Sequence, residues 1–301
     1  MFRVRNSTYL KYTPGKIEGK TIEIDIQTAG SIPLFLQSIL LPSMFANKPV
    51  RLNVIGGTDG KWAASIDYFK EVFLPQLQKY AGIDCRLIKR GYYPKANGKV
   101  ELKIKPKYRI SDFNSFEEFH NYLQQNAPKI NLIEQGYLIQ IKGISHSSAD
   151  LQSSNVAERQ AKAAEMALKN CNCPVNIRIE YNETLSTGSG ITLWAIFSKS
   201  RDEINALNPI ILGADALGER GKKAEIVGAE AANNLIKEME SKAPVDGHLA
   251  DQILKFIALV SKSKIKTSKI TDHAKTNIYA IEKFLGKTFE INEKENIIST
   301  I

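Results

Sequence analysis

Residues 246–286 read DGHLADQILKFIALVSKSKIKTSKITDHAKTNIYAIEKFLG. From His248 to Ser261 the spacing predicts a helix. Leu249, Ile253, Phe256 and Val260 recur at intervals of three and four and gather on one side. His248, Asp251, Gln252 and Lys255 gather on the other side. A strand is expected over 263–270, then a second helix from Ala274 to Leu285, closed by Gly286 at its C′ position. A histidine, an acid and an amide on one helix face suit a nucleotide pocket, and the plain alternative is a solvated face. His273 stands at the start of the second helix beside Asp272, with Lys275 and Thr276 just inside. Helix N-termini favour anions, so a phosphate-reactive group would be well placed there, and an ordinary imidazole is mostly neutral at pH 7, as a histidine nucleophile must be. The alternative for a lone histidine is a surface position without chemistry.

Upstream, Ile22, Ile24 and Ile26 alternate as a half-buried strand, and a helix is expected over 34–46. Val50, Leu52 and Val54 form the next strand, and residues 65–80 the next helix. Strands over 85–88 and 100–104 flank a turn at 91–98. The middle begins again with a short helix over 113–124, a strand over 137–141 and an Ala-rich helix over 156–168. Strands over 175–181 and 191–197, further strand material and a helix over 224–239 follow. Two short strands, 289–292 and 297–301, close the chain. This order predicts an α+β fold of open mixed sheets with helices on one face, and its recurrence hints at a long structural repeat.

A chain of 301 residues can hold two domains, and 43% hydrophobic with 24% charged residues is a globular balance. No apolar run is long enough to span a bilayer, so no membrane partner is expected. No signal-peptide pattern opens the chain, which sets a cytoplasmic expectation. Three cysteines, Cys85, Cys171 and Cys173, argue against a disulfide framework, and no second ligand pair lies near Cys171 and Cys173 to complete a metal site. The net charge of +9 suggests a polyanionic partner, with solvated lysine faces as the alternative.

Several loops suit anions. Thr28-Ala29-Gly30-Ser31 precedes a helix carrying Gln37, and Gly56-Gly57-Thr58-Asp59 is another such loop, with a plain strand-to-helix turn as the commoner alternative. Residues 213–221 hold three glycines and Arg220 before a helix, reading as a phosphate grip or a mobile stretch. His120 and His146 lie in polar stretches without a legible signal.

Taken in order, these segments, with Arg90-Gly91-Tyr92-Tyr93-Pro94, Ser189-Gly190-Ile191-Thr192-Leu193-Trp194-Ala195 and Gly218-Glu219-Arg220-Gly221, resemble RNA 3'-terminal phosphate cyclases from about Ser7 onward. The resemblance implies repeated units of two helices on a four-stranded sheet, with a smaller inserted α/β domain. It divides the chain into 1–130 (an incomplete first unit and a second unit), 131–243 (the insert) and 244–301. It implies ATP and a divalent metal, Mg or Mn, as cofactors, an RNA bearing a 3'-phosphate as partner, and a possible homo-oligomer. By position His273 matches the histidine that takes AMP from ATP. His248, Leu249, Ala250, Asp251 and Gln252 match the adenosine-contacting segment, and Gln37 a glutamine near the phosphates. Arg90 and Arg220 are candidates for RNA or phosphate contact. No metal-binding residue is assigned.

The chain departs from the family pattern in three places. A proline expected beside the adenine is replaced near Ala64-Ser65. The glycine-rich turn after Tyr93-Pro94 is Lys95-Ala96-Asn97-Gly98. The family's glycine-rich opening does not precede these motifs, so impaired activity is expected. The competing expectation is a non-catalytic cyclase-like RNA-binding protein of ribosome assembly, a group lacking the nucleophilic histidine; His273 favours the enzyme.

Overall fold

A computed structural model describes residues 11, 13, 15–200 and 204–301. The first sheet comes from β1 (Thr21–Asp25), α1 (Ile32–Met44), β2 (Val50–Gly56), α2 (Ile66–Tyr68), β3 (Ala81–Lys89) and β4 (Gly98–Pro106). Its order is β1-β2-β4-β3, with β1 parallel to β2 and the other pairs antiparallel. Alternation decides its faces: Val50, Leu52, Val54, Val100, Leu102 and Ile104 are buried, while Arg51, Lys99 and Lys105 are exposed. The helix expected over 65–80 is α-helical only in α2. It passes into a π turn at Phe69–Phe73 and a 3-10 turn at Leu74–Leu77. Pro75 lies in this stretch, and a proline supplies no N–H to a regular α ladder.

Next come α3 (Phe116–Asn126), β5 (Asn131–Leu132), β6 (Tyr137–Ser148), α4 (Val156–Leu168), β7 (Val175–Asn182), β8 (Ser189–Ser198), β9 (Ile210–Leu217) and α5 (Ala224–Glu240). The second sheet is β7-β6-β8-β9, with β6 and β7 parallel and the rest antiparallel. The strand β9 takes up the first half of the 213–221 stretch. Gly213 is therefore not a loop residue; its missing side chain admits the Tyr68 ring, since a Cβ there would stand 2.5 Å from Tyr68 Cε2.

The chain ends with α6 (Gly247–Ile257), β10 (Lys264–Lys266), α7 (Asp272–Leu285), β11 (Phe289–Asn292) and β12 (Ile297–Thr300). The third sheet is β11-β12-β10-β5. The strand expected over 263–270 shortens to three residues. The β12 ladder pairs only Lys264–Lys266, and the Ser268 N–H turns away to the Val245 carbonyl. Mixed sheets and helices together form an α+β architecture. Among the described residues, no helix is long and apolar enough to cross a membrane.

Two buried polar joints tie these parts together. The Asp246 side chain is fully buried at the start of α6. Its Oδ1 accepts from Tyr68 Oη at 2.6 Å and from the N–H groups of Leu249 and His248, and its Oδ2 accepts from the Gly213 N–H at 3.0 Å. Burial raises its carboxyl pKa, and the Tyr68 hydroxyl and the Leu249 and Gly213 amides work against that rise. In the second joint, fully buried Arg90 donates to Asp59 at 3.1 Å, Asp67 at 2.7 Å and Glu180 at 3.0 Å. Burial opposes its charge, but Asp67 and Asp59 outweigh burial and hold the guanidinium above its ordinary pKa. Beside it the Tyr92 hydroxyl lies 2.7 Å from His146 Nδ1, and His146 Nε2 lies 3.4 Å from Asp59 Oδ1. Burial, seconded by Arg90, pushes His146 down to about 3, so the ring is neutral.

Removing one donor from a buried carboxylate tests the first joint. Tyr68→Phe should destabilise the chain by about 1.5–3 kcal/mol, read by urea unfolding; an unchanged midpoint would show the bond contributes nothing. The second joint sets a pH dependence. The folded pKa of His146, about 3, lies below its ordinary value of 6.5, so its stabilisation is complete above 6.5 and is lost as pH falls toward 3. The loss should approach about 1.4 kcal/mol per pH unit, because the unfolded chain takes up a proton that the fold refuses. His146→Gln should flatten the stability profile between these limits; parallel profiles for the two proteins would contradict a buried neutral ring.

Candidate active site

A cleft of about 910 Å³ opens between the first sheet's helices, β9, α5, α6 and the start of α7. Each wall has a local cause. Ser31 caps α1, its Oγ accepting from the Leu34 N–H, and α1 presents Leu34 and Gln37 one turn apart. The cap of Asp246 fixes where α6 begins, and hence the direction of His248, Asp251 and Gln252. The Thr271 hydroxyl caps α7, accepting from the Ala274 N–H at 3.1 Å, and leaves exposed His273 in the first helical turn.

The helix α6 is the expected amphipathic one. It ends at Ile257, short of the expected Ser261; Leu249, Ile253 and Phe256 within it and Val260 beyond its end are buried, while His248, Asp251 and Gln252 line the cleft. On this face His248 is exposed and Asp251 and Gln252 are half-buried. Lys255, the fourth polar residue, reaches α1 and donates to the Gln37 carbonyl. Burial lowers the Lys255 ammonium to about 8. Asn277 Nδ2 donates to the Asp251 carbonyl at 3.1 Å, joining α7 to α6 one turn beyond His273. Burial raises the Asp251 carboxyl pKa, while His248 and His273 pull it back.

The structure thus brings Gln37, His248, Asp251, Gln252 and His273 around one space. It does not bring Leu249 and Ala250 there; both are fully buried and fasten α6 to the core. Arg90 lies outside the cleft, closed off from solvent among its three carboxylates. Arg220 is exposed in the turn after β9 and does not line the cleft.

Other cleft residues carried no signal in the sequence. Tyr68 meets His248 edge-on, with ring centroids 6.5 Å apart. Glu238 of α5, Ser268 and the loop residue Trp62 complete the walls. The acid Asp246 before Gly247-His248 was readable as a helix N-cap, but Glu238 and Tyr68 arrive through contacts distant in sequence. Gln252 Oε1, Glu238 Oε2 and Ser268 Oγ are buried without a well-formed hydrogen bond, although Ser268 lies beside Glu238. Buried polar atoms left unpaired are costly, and a polar ligand with hydroxyl or amino groups fits them. Among the described residues one group has metal-ligand geometry, Asp59, Asp67 and His146. It does not fit a divalent cation, because the Arg90 guanidinium already holds both carboxylates.

Residues 3–291 match the family model described as RNA 3'-terminal phosphate cyclase. A protein of that name from Archaeoglobus fulgidus is 38% identical over 295 residues, covering 97% of this chain and 79% of the relative. One from Methanosarcina acetivorans is 40% identical over 297 residues, with coverage of 97% and 79%. One from Pyrococcus furiosus is 39% identical over 287 residues, with coverage of 95% and 75%. A match of this extent places the protein in the RNA 3'-terminal phosphate cyclase family.

Proposed function

We propose that the cleft binds ATP and that His273 becomes transiently adenylylated on the way to cyclising an RNA 3'-phosphate. One observation carries this reading: Gln37, His248, Asp251, Gln252 and His273, from three separate helices, line one cleft. A ring nitrogen of His273 attacks the α-phosphorus of ATP. An N–P bond forms, the bond to the bridging oxygen breaks, and pyrophosphate leaves. An oxygen of the RNA 3'-phosphate then takes the AMP and frees His273. The neighbouring 2'-hydroxyl attacks the activated phosphorus, gives up its proton and expels AMP, leaving a 2',3'-cyclic phosphate. Splitting one difficult displacement into easier ones is the gain from a covalent carrier.

The chain's residues divide this work by position. Gln37, projecting from α1, serves the phosphates. Asp251 and Gln252 hold the adenosine, and His248 walls it. Leu249 and Ala250 act through the core, by fixing α6. Asn277 holds α7 against α6, so that His273 keeps its place.

We also infer a repeated architecture. The first and third sheets share one scheme: a parallel pair of strands at one side, then two antiparallel neighbours. On this reading they are copies of one unit, and β6–α5 is an insert that interrupts the second copy between β5 and α6. That accords with boundaries near 131 and 243.

Incubation with α-labelled ATP and a divalent cation should leave acid-labile label on the protein, and His273→Asn should abolish it. Equal labelling of the variant would remove His273 from the chemistry, and an unlabelled parent chain would favour the non-catalytic RNA-binding reading. Asp251→Ala and Gln252→Ala should each weaken ATP binding by about 1–3 kcal/mol, measured by calorimetry, if each bonds the nucleotide. Unchanged affinity in both would place the adenosine elsewhere.

A further inference from the structure

Trp62 is 93% exposed, although indole is among the most costly side chains to leave in water. Its backbone has φ +70°, a left-handed conformation that a bulky residue rarely adopts. Neither feature serves the fold. The loop around it is nevertheless firmly held. At one end Thr58 exchanges hydrogen bonds with Gly91, its N–H donating to the Gly91 carbonyl and its Oγ1 accepting from the Gly91 N–H. At the other end the Ser65 N–H donates to Asp215 at 3.1 Å and the Ser65 hydroxyl pairs with Thr192 at 2.8 Å. The indole is therefore projected from a fixed base, and it lines the cleft. Leu34, 61% exposed, lines the same cleft from α1.

The charge around the indole is positive. Lys61 Nζ sits 5.8 Å from the Trp62 ring centroid. It also pairs with Glu219 at 3.4 Å, which brings the turn bearing exposed Arg220 against this loop. Lys237 and Lys269 line the cleft as well. An exposed aromatic face among cations is the pairing that takes an unstacked nucleobase and its phosphates.

We propose that Trp62 and Leu34 form a stacking site for the base at the 3' end of the RNA, with Lys61 and Arg220 beside its backbone. The choice of RNA over the adenine of ATP rests on the reading in which α6 takes the adenosine. That assignment leaves the exposed rim on the first sheet's side for the second substrate.

The test uses the full chain and tryptophan fluorescence. The chain has two tryptophans, and the other, Trp194, is only 6% exposed. A single-stranded RNA hexamer with a 3'-phosphate, added without ATP, should quench the emission and shield it from acrylamide. ATP alone should do neither. Trp62→Ala should weaken hexamer binding about tenfold, as expected for losing one base–aromatic stack, and Trp62→Phe should keep most of the affinity. Because Trp62 is exposed, both variants should unfold at the parent's temperature. The proposal is overturned if the hexamer does not bind, if Trp62→Ala binds it as the parent does, or if ATP alone shields the indole. Shielding by RNA in a chain whose His273 takes no label would sink the cyclase chemistry and leave the stacking site standing; labelling without shielding would do the reverse.

Discussion

The geometry of the cleft depends on one buried carboxylate. Asp246 accepts four hydrogen bonds, two from the first turn of α6, one from Tyr68 on α2 and one from Gly213 on β9. A carboxylate removed from water costs several kcal/mol unless donors replace its hydration. Here the donors come from three elements, so Asp246 is satisfied only when all three are in place. A single group thereby fixes the start of α6, its rotation, and its distance from the first and second sheets. The positions of His248, Asp251 and Gln252 follow from that, because a helix begun at a set residue presents its later side chains at set angles.

The segment from Thr58 to Tyr68 belongs to both buried joints. Asp59 and Asp67 hold Arg90, Ser65 reaches the second sheet, and Tyr68 reaches Asp246. Eleven consecutive residues thus anchor the first sheet to two other parts of the molecule. Such anchoring explains how the segment can keep Trp62 in a strained conformation. A non-glycine residue at positive φ persists only where its surroundings over-determine it. The Arg90 joint is costly to break by halves, since losing the guanidinium would leave Asp59 and Asp67 buried with charges unmatched. It links the first sheet's loops to Glu180 of β7, outside the cleft.

The parts of this molecule that were legible in its sequence are those governed by local spacing. The α6 helix shows its buried and polar faces at intervals of three and four, and α4 runs over the residues its alanines predict. The helix at α7 ends at Gly286, with φ +75°. What stayed hidden depends on distant partners. Tyr68 and Asp246 are 178 positions apart, and nothing near Tyr68 announces a carboxylate. Arg90 looks like a phosphate ligand by residue type, and only its burial among Asp59, Asp67 and Glu180 says otherwise. His146 gave no signal because its neighbours Tyr92 and Asp59 come from the loops that follow β3 and β2, distant in sequence. Local chemistry also truncated two elements: the π and 3-10 turns of the Pro75 stretch, and a third-sheet partner only three residues long.

The same division explains where the cleft holds unsatisfied groups. Asp246 is matched by four donors, whereas Gln252 Oε1, Glu238 Oε2 and Ser268 Oγ in the cleft lack a well-formed hydrogen bond, as do Asp59 Oδ1, Arg90 Nε and His146 Nε2 in the second joint. Each unmet group costs about 1–3 kcal/mol in the folded state. A ligand that supplies the missing partners recovers that cost on binding, in addition to its own contacts. Two of the three unmet cleft atoms, Gln252 Oε1 and Glu238 Oε2, are acceptors, and the Ser268 hydroxyl can serve as either donor or acceptor. They therefore favour a ligand rich in N–H and O–H groups, as a nucleoside is. Anionic groups suit the opposite end, where His273 stands in the first turn of α7 and the amides at a helix start face outward. The cleft is thus polar in two senses, with acceptors toward α5 and a helix N-terminus toward α7. On the proposed reading, that asymmetry would orient a nucleotide before any contact specific to its base is made.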